Sequence, residues 1–163
     1  MREVNYWIFN LDYKNNNRDM VWKYCKNNNC FVMQYQDGKQ NPASITKNLN
    51  IAREVRIGDY CVAYTGNRTI VGTGMIIKEF YEEDDMKKMI SENAPNFERI
   101  GVKWIIRLEK ELIIDSFTKN LGITNQKLLM SSAICKISKD GYQYAENMCK
   151  KIIILNTKSK VKY

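Results

Sequence analysis

The chain has 163 residues, of which 44% are hydrophobic, enough for one domain with a substantial core and too apolar for a disordered chain. Its 26 Lys and Arg against 18 Asp and Glu leave a net charge of +8, and it contains no histidine. No apolar run approaches the roughly 18 residues of a membrane span, and the N-terminus lacks a signal-peptide pattern, so we expect a soluble, cytoplasmic protein without a membrane partner.

The first third of the chain predicts short strands separated by helices. Tyr6–Phe9 is an apolar run typical of a buried strand, and Cys30–Met33 is a second one. Between them, Arg18–Lys26 places its apolar residues at helical spacing after three turn-forming asparagines. Ile45–Val55 then predicts a helical turn or two.

A β-hairpin is the strongest local signal. Its parts are a strand at Tyr60–Tyr64, a polar turn at Gly66–Arg68 and a longer strand at Ile70–Phe80. A Gly58-Asp59 turn precedes the first strand. Gly72 and Gly74 interrupt the second strand, which indicates a bulge or a place where another group approaches the backbone closely.

The second half alternates helix and strand signals. The acidic run Glu82–Asp85 opens a short helix, because carboxylates favour the positive end of a helix dipole. The later elements are one long or two short strands at Ile100–Ile114, a helix at Thr124–Met130, a strand at Ala133–Ile137 and a final helix from Ser138 or Asp140. Residues 1–155 then form a single domain, and the basic segment 156–163, which lacks periodicity, is a frayed end or linker. Together these elements predict an α+β fold with a strongly curved sheet or small barrel.

The positive charge is concentrated near the C-terminus. Residues 116–163 carry nine basic and two acidic residues, a sum of +7, whereas residues 61–115 carry eight basic and ten acidic ones, a sum of −2. A one-sided basic surface favours an anionic polymer as partner. A compositional bias towards Lys, Asn and Ile is the alternative explanation.

The chemical inventory favours binding over catalysis. Without histidine there is no imidazole base, and the chain has no glycine-rich phosphate-binding loop. The acidic run is more simply a solvated helix face than a metal site, and the five cysteines, which lack a C-x-x-C motif, indicate buried free thiols in a reducing compartment. Three tryptophans, ten tyrosines and many asparagines offer stacking faces and amides that suit nucleic acids. We therefore expect no enzymatic activity and no metal or other cofactor.

The order of these pieces resembles the EVE and YTH families of the PUA-like superfold. Residues 6–10 read YWIFN, like the YWLF-type strand that opens EVE domains. Residues 56–59 read RIGD, like their (K/R)-x-G-D motif, and residues 70–74 read IVGTG, like their IVG-x-(A/G) strand. The resemblance spans most of residues 5–148. It implies an α+β, PUA-like small curved β-barrel of five or six strands flanked by short helices.

The resemblance also implies a site. Such domains hold a modified base, flipped out of its strand, in an aromatic-walled pocket, while basic residues at its mouth hold the backbone. Carried over position by position, the implied pocket residues are Trp7, Asn10, Asp12, Asn17, Phe31, Met33, Tyr64 and Tyr81. The implied backbone-binding residues are Arg68, Lys136 and Lys139.

Two positions depart from the family pattern. Asn10 lies where both families usually have lysine at the end of the first strand. YTH domains place a second cage tryptophan in the loop before the strand that begins here at Val102, but Glu82–Phe97 contains none. Phe97 or Tyr81 would have to take its place.

The implied function is non-enzymatic recognition of a modified base, with methylated DNA favoured, in a restriction or defence setting. Domains of this type occur as N-terminal specificity modules of McrB-type, modification-dependent restriction systems, which implies an AAA+ motor as a fused or partner subunit. Two alternatives stay open. One is a PUA-like RNA-binding module, and the other is a small nucleic-acid-modifying enzyme of the same fold, or a subunit of one.

Overall fold

A computed structural model of the chain describes residues 1–12, 18–33, 41–83, 98–123 and 133–160, without the side chain of Arg18. These residues form six strands and four helices. The strands are β1 (Tyr6–Asn10), β2 (Cys30–Val32), β3 (Tyr60–Gly66), β4 (Thr69–Glu82), β5 (Glu98–Ile113) and β6 (Ile134–Ile137). The helices are α1 (Arg18–Asn28), α2 (Pro42–Ala52), α3 (Phe117–Asn120) and α4 (Lys139–Lys160).

All six strands belong to one curled sheet, in the order β2-β5-β4-β3-β1-β6. β1 and β3 run parallel, and the other neighbouring strands are antiparallel. In a flat sheet β2 would lie about 19 Å from β1, at about 4.8 Å per strand. Yet the rings of Phe9 on β1 and Phe31 on β2 are only 4.5 Å apart between centroids. The sheet is therefore a half-barrel, and the predicted α+β, PUA-like curved fold is confirmed.

Alternate side chains of this sheet enter two separate cores. On β1, Trp7 and Phe9 face the concave core with α1 and α2, whereas Ile8 faces the convex core under α3 and α4. The concave core also holds Trp22 and Trp104, whose rings meet edge to face at 4.9 Å between centroids. Both faces of β1 are thus covered, whereas the outward side chains of β5, Lys103, Ile105 and Arg107, are exposed.

The hairpin forms as the sequence predicts. Asn67 and Arg68 have φ angles of 49° and 62°, which is the left-handed pair of a two-residue turn between right-twisted strands. The turn predicted at Gly66–Arg68 and both flanking strands are confirmed.

Gly72 and Gly74 lie where β5 and two tryptophan rings press against β4. A Cβ on Gly72 would collide with the carbonyl oxygen of Ile106 and lie 3.1 Å from the Trp22 ring, and one on Gly74 would lie 3.0 Å from the Trp104 ring. The register between β4 and β5 also shifts beside each glycine. Both predicted reasons for these glycines, a bulge and a close approach, are therefore confirmed.

The Gly58-Asp59 turn fastens β1 to the start of β3. The buried Asp59 carboxylate accepts hydrogen bonds from the Trp7 indole Nε1 at 2.9 Å and from the backbone nitrogens of Asn5 and Arg56 at 3.1 and 3.0 Å. The Arg2 guanidinium adds a fourth at 2.8 Å. Burial alone would raise the pKa of Asp59, but these hydrogen bonds outweigh it and lower that pKa.

Several element boundaries differ from the predictions. Helix α2 begins at Pro42, because the Asn41 side chain caps it by accepting from the backbone of Ala43, and the segment up to Val55 is not helical after Ala52. β5 is one continuous strand. Helix α4 continues to Lys160, so residues 156–160 are helical although they were expected to be irregular. The division into a domain and a tail stays a prediction.

The acidic run is described only in part. Glu82 is the last residue of β4 instead of the first of a helix. The remainder of that predicted helix, the helix at 124–130 and residues 161–163 lie outside the described residues. Within the described part of the chain, no helix has the length and apolarity needed to cross a membrane.

Candidate functional site

Polar side chains meet where the parallel strands β1 and β3 end. Asn10 lies opposite Tyr64 in the register, and the backbone nitrogen of Leu11 donates to the Tyr64 carbonyl at 2.7 Å. The Asn10 side-chain oxygen accepts from the backbone nitrogen of Asp12 at 2.8 Å. We call these three polar residues, Asn10, Asp12 and Tyr64, the strand-end rim. Parallel pairing explains the cluster, because the carboxyl ends of both strands lie at the same edge.

An aromatic pair lies at the same end of β1 but on the concave face of the sheet, opposite the face on which Tyr64 packs. Phe9, the neighbour of Asn10, stacks on Phe31 with ring planes 22° apart, and both side chains are fully buried. We call Phe9 and Phe31 the aromatic floor. Phe31 was predicted to form a pocket wall; the structure places its ring in the concave core, and its role in a pocket stays a prediction. A ligand reaches its ring only after the side chains that cover it move aside.

Met33 directly follows β2, and Tyr81 lies near the end of β4, two strands away from β2 in the sheet. Met33 is fully buried, and its backbone nitrogen donates to the carbonyl of Glu98 at 2.9 Å. Tyr81 pairs with Arg99 near the end of β4, whereas Tyr64 pairs with Ile70 near the beginning of the same strand. The structure therefore does not bring Tyr81 to the strand-end rim, and its role in the pocket stays a prediction.

The environment of Tyr81 is half-buried and cationic. The Lys78 ammonium lies 3.8 Å from the centroid of the Tyr81 ring. Burial raises the pKa of the Tyr81 phenol to about 12, so it is a neutral hydrogen-bonding group.

Arg99 organises a cluster that sequence reasoning missed. Its side chain is only 1% exposed, and its Nη1 donates to the Tyr24 hydroxyl at 2.7 Å and approaches the Cys30 sulfur at 3.7 Å. Its Nε lies 3.9 Å from a carboxylate oxygen of Glu83. An arginine at the start of an apolar strand could have indicated this cluster in the sequence, since arginine is rarely buried without partners. The hydroxyl partner, Tyr24, comes from α1.

Trp7 is a structural residue on the concave side. It is 2% exposed and its indole is bonded to Asp59, as described above. The ammonium of Lys136, which is opposite Trp7 in the β1–β6 register, lies 6.0 Å from its ring centroid. Trp7 can support the site through β1, and its ring has almost no surface left for a ligand.

The three predicted backbone-binding residues are spread along the molecule. Arg68 lies in the β3–β4 turn beside the rim, because Gly66 at the end of β3 packs against the Asp12 carboxylate. Lys136 is exposed on β6. It lies opposite Trp7, which is three residues before Asn10 on β1. Lys139 begins α4, beyond the opposite end of β1. Only Arg68 is therefore brought to the rim.

The rim has two further supports that the sequence did not reveal. The Tyr64 ring packs on Phe117 of α3 at 5.1 Å between centroids, and Leu11, between two rim residues, is fully buried. Asn17, the remaining predicted pocket residue, lies outside the described residues.

The arrangement suits binding better than bond-breaking chemistry. An amide, a carboxylate and a phenol at the rim offer donors and acceptors to the edge of a flat ring, and the floor offers apolar aromatic surface. Among the described residues, no three Cys, Asp or Glu side chains group so as to hold a metal ion.

Comparisons with known proteins agree with this architecture. The family model of the EVE domain matches residues 5–148. No curated protein matches the chain at a significant level. Three similar solved structures come from different organisms. A hypothetical protein from Leishmania major has a TM-score of 0.57 and 17% identity, over 91% of this chain and 96% of that chain.

Two other similar structures contain nucleic acid. Human THYN1, in complex with 5-methylcytosine-containing DNA, has a TM-score of 0.54 and 13% identity, over 89% of this chain and 97% of that chain. The YTH domain of Zygosaccharomyces rouxii MRB1, in complex with N6-methyladenosine RNA, has a TM-score of 0.53 and 11% identity, over 90% of this chain and 87% of that chain. At these identities the likeness establishes a shared fold, as the resemblance implied.

Proposed function

The chain belongs to the EVE domain family, and from this premise we propose that it is a non-enzymatic module that binds nucleic acid through a modified, methylated base. The observation that carries the proposal is the aromatic floor of Phe9 and Phe31 on the concave side of the half-barrel, where β1 and β2 approach each other. The nucleic-acid complexes of THYN1 and of the MRB1 YTH domain, which share the fold, support it.

The proposed binding mode follows from the chemistry of the two parts. A base flipped out of its strand needs a partner for its faces and polar groups for its edge. The base lies against the aromatic floor once the covering side chains move aside, and Asn10, Asp12 and Tyr64, which follow the same strands on the other face of the sheet, meet the strand that carries it. A buried methyl group contributes about 0.8 kcal/mol, which is about a fourfold preference for the modified strand.

The proposal includes the biological setting implied by the resemblance. DNA is the favoured partner, in a restriction or defence system of the McrB type, in the cytoplasm, with an AAA+ motor as a fused or partner subunit. The net charge of +8 supports an anionic partner.

The test is a set of affinities measured at one salt concentration. Fluorescently labelled strands that are unmodified or carry 5-methylcytosine or N6-methyladenine are titrated with the protein, each as DNA and as RNA. We expect a methylated DNA strand to bind at least about four times more tightly than its unmodified counterpart. Equal affinities for all strands would refute the proposal. A preference for methylated RNA would identify RNA, instead of DNA, as the binding partner.

A matched pair of variants locates the binding site. Phe31→Leu keeps an apolar side chain in the floor and removes its aromatic face, so we expect the preference for the methylated strand to fall. Ile8→Val, a small change on the opposite face of β1, should lower stability by about 0.5–1.5 kcal/mol and leave the preference unchanged. If both variants lose the preference equally, the floor is not the recognition surface.

A further inference from the structure

The last turns of helix α4 project from the body of the domain. Cys149 is the last fully buried residue of this helix, Ile152 is half-buried, and residues 153–160 are all exposed. At about 1.5 Å per residue, residues 150–160 extend the helix by about 16 Å beyond Cys149. The EVE family model ends at residue 148, so this part of α4 lies beyond the matched domain.

Half of the net charge of the chain lies on this part of α4. Residues 147–160 contain four lysines and no acidic residue, a sum of +4 in a total of +8. Lys150 forms an ion pair with Glu146 at 2.9 Å. Among the described residues, Lys151, Lys158 and Lys160 have no carboxylate partner. Their charges are therefore available to an anionic partner.

Four exposed side chains line up on the side of α4 that faces away from the domain. Asn147, Lys151, Ile154 and Lys158 follow one another at intervals of four, three and four residues, which places them on one face of the helix. The buried residues of α4 face the convex core instead. We call these four residues the α4 ridge. Lys151 and Lys158 are about 10 Å apart along the helix axis, which is close to three nucleotide steps of a stacked strand.

The α4 ridge and the aromatic floor are on opposite faces of the sheet. Phe9 and Phe31 lie in the concave core, whereas α4 packs on the convex one. The ridge is on the outer side of α4, and a helix with its side chains is about 10–12 Å thick. A strand whose base lies on the floor therefore reaches the ridge only by continuing around the domain for several nucleotides, at about 3.4 Å each.

We propose that the α4 ridge is a second nucleic-acid contact, which holds phosphates of the strand that carries the modified base. Lys151 and Lys158 bind phosphate oxygens, and the Asn147 amide donates a hydrogen bond to the same backbone. Such contacts carry no sequence information, so they strengthen binding to methylated and unmodified strands alike. The inference rests on the proposed function, because it places the ridge on the strand that presents the flipped base.

The aliphatic side chains near the ridge do not favour a lipid surface as the occupant. Ile153, Ile154 and Leu155 are 42%, 53% and 61% exposed, but consecutive residues of a helix point about 100° apart. They surround one turn of the helix instead of forming the continuous apolar face with which a helix lies in a membrane interface. The lysines of the ridge do share one face, which favours a phosphate backbone.

Strand length tests the contact. Single strands of about 6 and about 24 nucleotides carry the methylated base at their centre, so each arm extends about 10 Å or about 40 Å, and only the longer arm passes around α4. The ridge variant combines Lys151→Gln and Lys158→Gln, since glutamine and lysine have nearly the same helix propensity. We expect it to bind the long strand about tenfold more weakly near 0.1 M salt, to lower the salt slope by about 1.4, and to bind the short strand like the wild type.

A matched control removes the same charge elsewhere. Lys47→Gln combined with Lys110→Gln replaces two exposed lysines on α2 and β5. If this control weakens binding to the long strand as much as the ridge variant does, net charge alone matters and the proposal is overturned. Equal binding of the long strand by wild type and ridge variant would overturn it too, as would an equal loss with the short strand. Circular dichroism checks that both variants keep the helix content of the wild type.

Vesicles and unmodified strands separate the remaining outcomes. Phosphatidylglycerol vesicles that bind the wild type but not the ridge variant, with strand binding unchanged, would identify a lipid surface as the occupant and overturn the proposal. The ratio of affinities for methylated and unmodified strands should be the same in the wild type and the ridge variant. Absence of that preference in the wild type would refute the proposed function, while a loss confined to long strands would still establish the second contact.

Discussion

Replacing Asp59 by asparagine should destabilise the protein by much more than its position outside the candidate site suggests. Each carboxylate oxygen accepts two hydrogen bonds, one oxygen from Trp7 and the Arg56 backbone, the other from Arg2 and the Asn5 backbone. An asparagine side chain offers one oxygen and one NH2 group. It can therefore satisfy only one of these two pairs of donors.

The structure gives the size of the loss. Trp7 is 2% exposed and has no access to water as an alternative acceptor, so we expect the amide oxygen on the side of Trp7 and Arg56, with the NH2 group facing Asn5 and Arg2. Leaving a buried donor without an acceptor costs about 1–3 kcal/mol. The Arg2 side chain is 43% exposed and adds at most about 1 kcal/mol. We expect a total loss of about 1–4 kcal/mol, which lowers Tm by about 2–4 °C for each kcal/mol in a chain of this size.

The stability lost in Asp59→Asn should also depend on pH, and it should be smaller in acid. The folded pKa of Asp59 is lowered, so the stability that its charge contributes is present above the unfolded pKa of about 3.9 and disappears as pH falls through the folded pKa. The gap in stability between wild type and Asp59→Asn should then be constant above about pH 5 and narrow steadily below about pH 4.

Urea unfolding followed by tryptophan fluorescence, repeated from pH 7 to pH 3, measures both effects. Arg2→Ala is the matched control, because it removes only the exposed donor and should cost less than about 1 kcal/mol. A loss below about 0.5 kcal/mol for Asp59→Asn, or a gap that stays constant through the acid range, would refute the assignment of these four hydrogen bonds.

Two other substitutions test the hairpin. Gly72→Ala should lower the free energy of unfolding by about 1–3 kcal/mol in the same urea assay, because its Cβ meets the carbonyl oxygen of Ile106, and an unchanged midpoint would contradict that close approach. Arg68→Gly should raise stability by about 0.5–1 kcal/mol by relieving a left-handed backbone. It should also weaken binding to methylated and unmodified strands alike and reduce the salt slope by about 0.9 if Arg68 holds one phosphate. Asn67→Gly, which changes the same turn without removing a charge, should leave the salt slope unchanged.

Local patterns in the sequence were sufficient for the elements. The turn at Asn67 and Arg68, the helix that begins at Arg18 and the strand that begins at Tyr6 depend on spacing and turn chemistry within a few residues. The boundaries that differ have local causes too. The Asn41 cap starts α2 early, and the apolar face of α4 ends before its helical backbone does.

The contacts that build the site are long-range and could not be read from spacing. The pairing of Phe9 with Phe31 depends on how far the sheet curls, and the cluster around Arg99 joins α1, β2 and β5. The family resemblance named Phe31 and the rim residues as one pocket, whereas the structure places Phe31 in the concave core and Tyr64 against the convex one. It also placed Tyr81 there, and the structure separates Tyr81 from the rim along the length of β4.

The Gly58-Asp59 turn and the strand-end rim lie at opposite ends of the parallel β1–β3 pair. Asp59 binds Asn5 and Trp7 at the beginning of the parallel β1–β3 pair, which sets Tyr6 opposite Tyr60. The same register carried along both strands sets Asn10 opposite Tyr64. A slip of one residue would turn every β1 side chain to the other face, taking Phe9 away from Phe31 and into the convex core. The carboxylate can therefore determine recognition without touching a ligand, since it fixes which side chains of β1 reach the site.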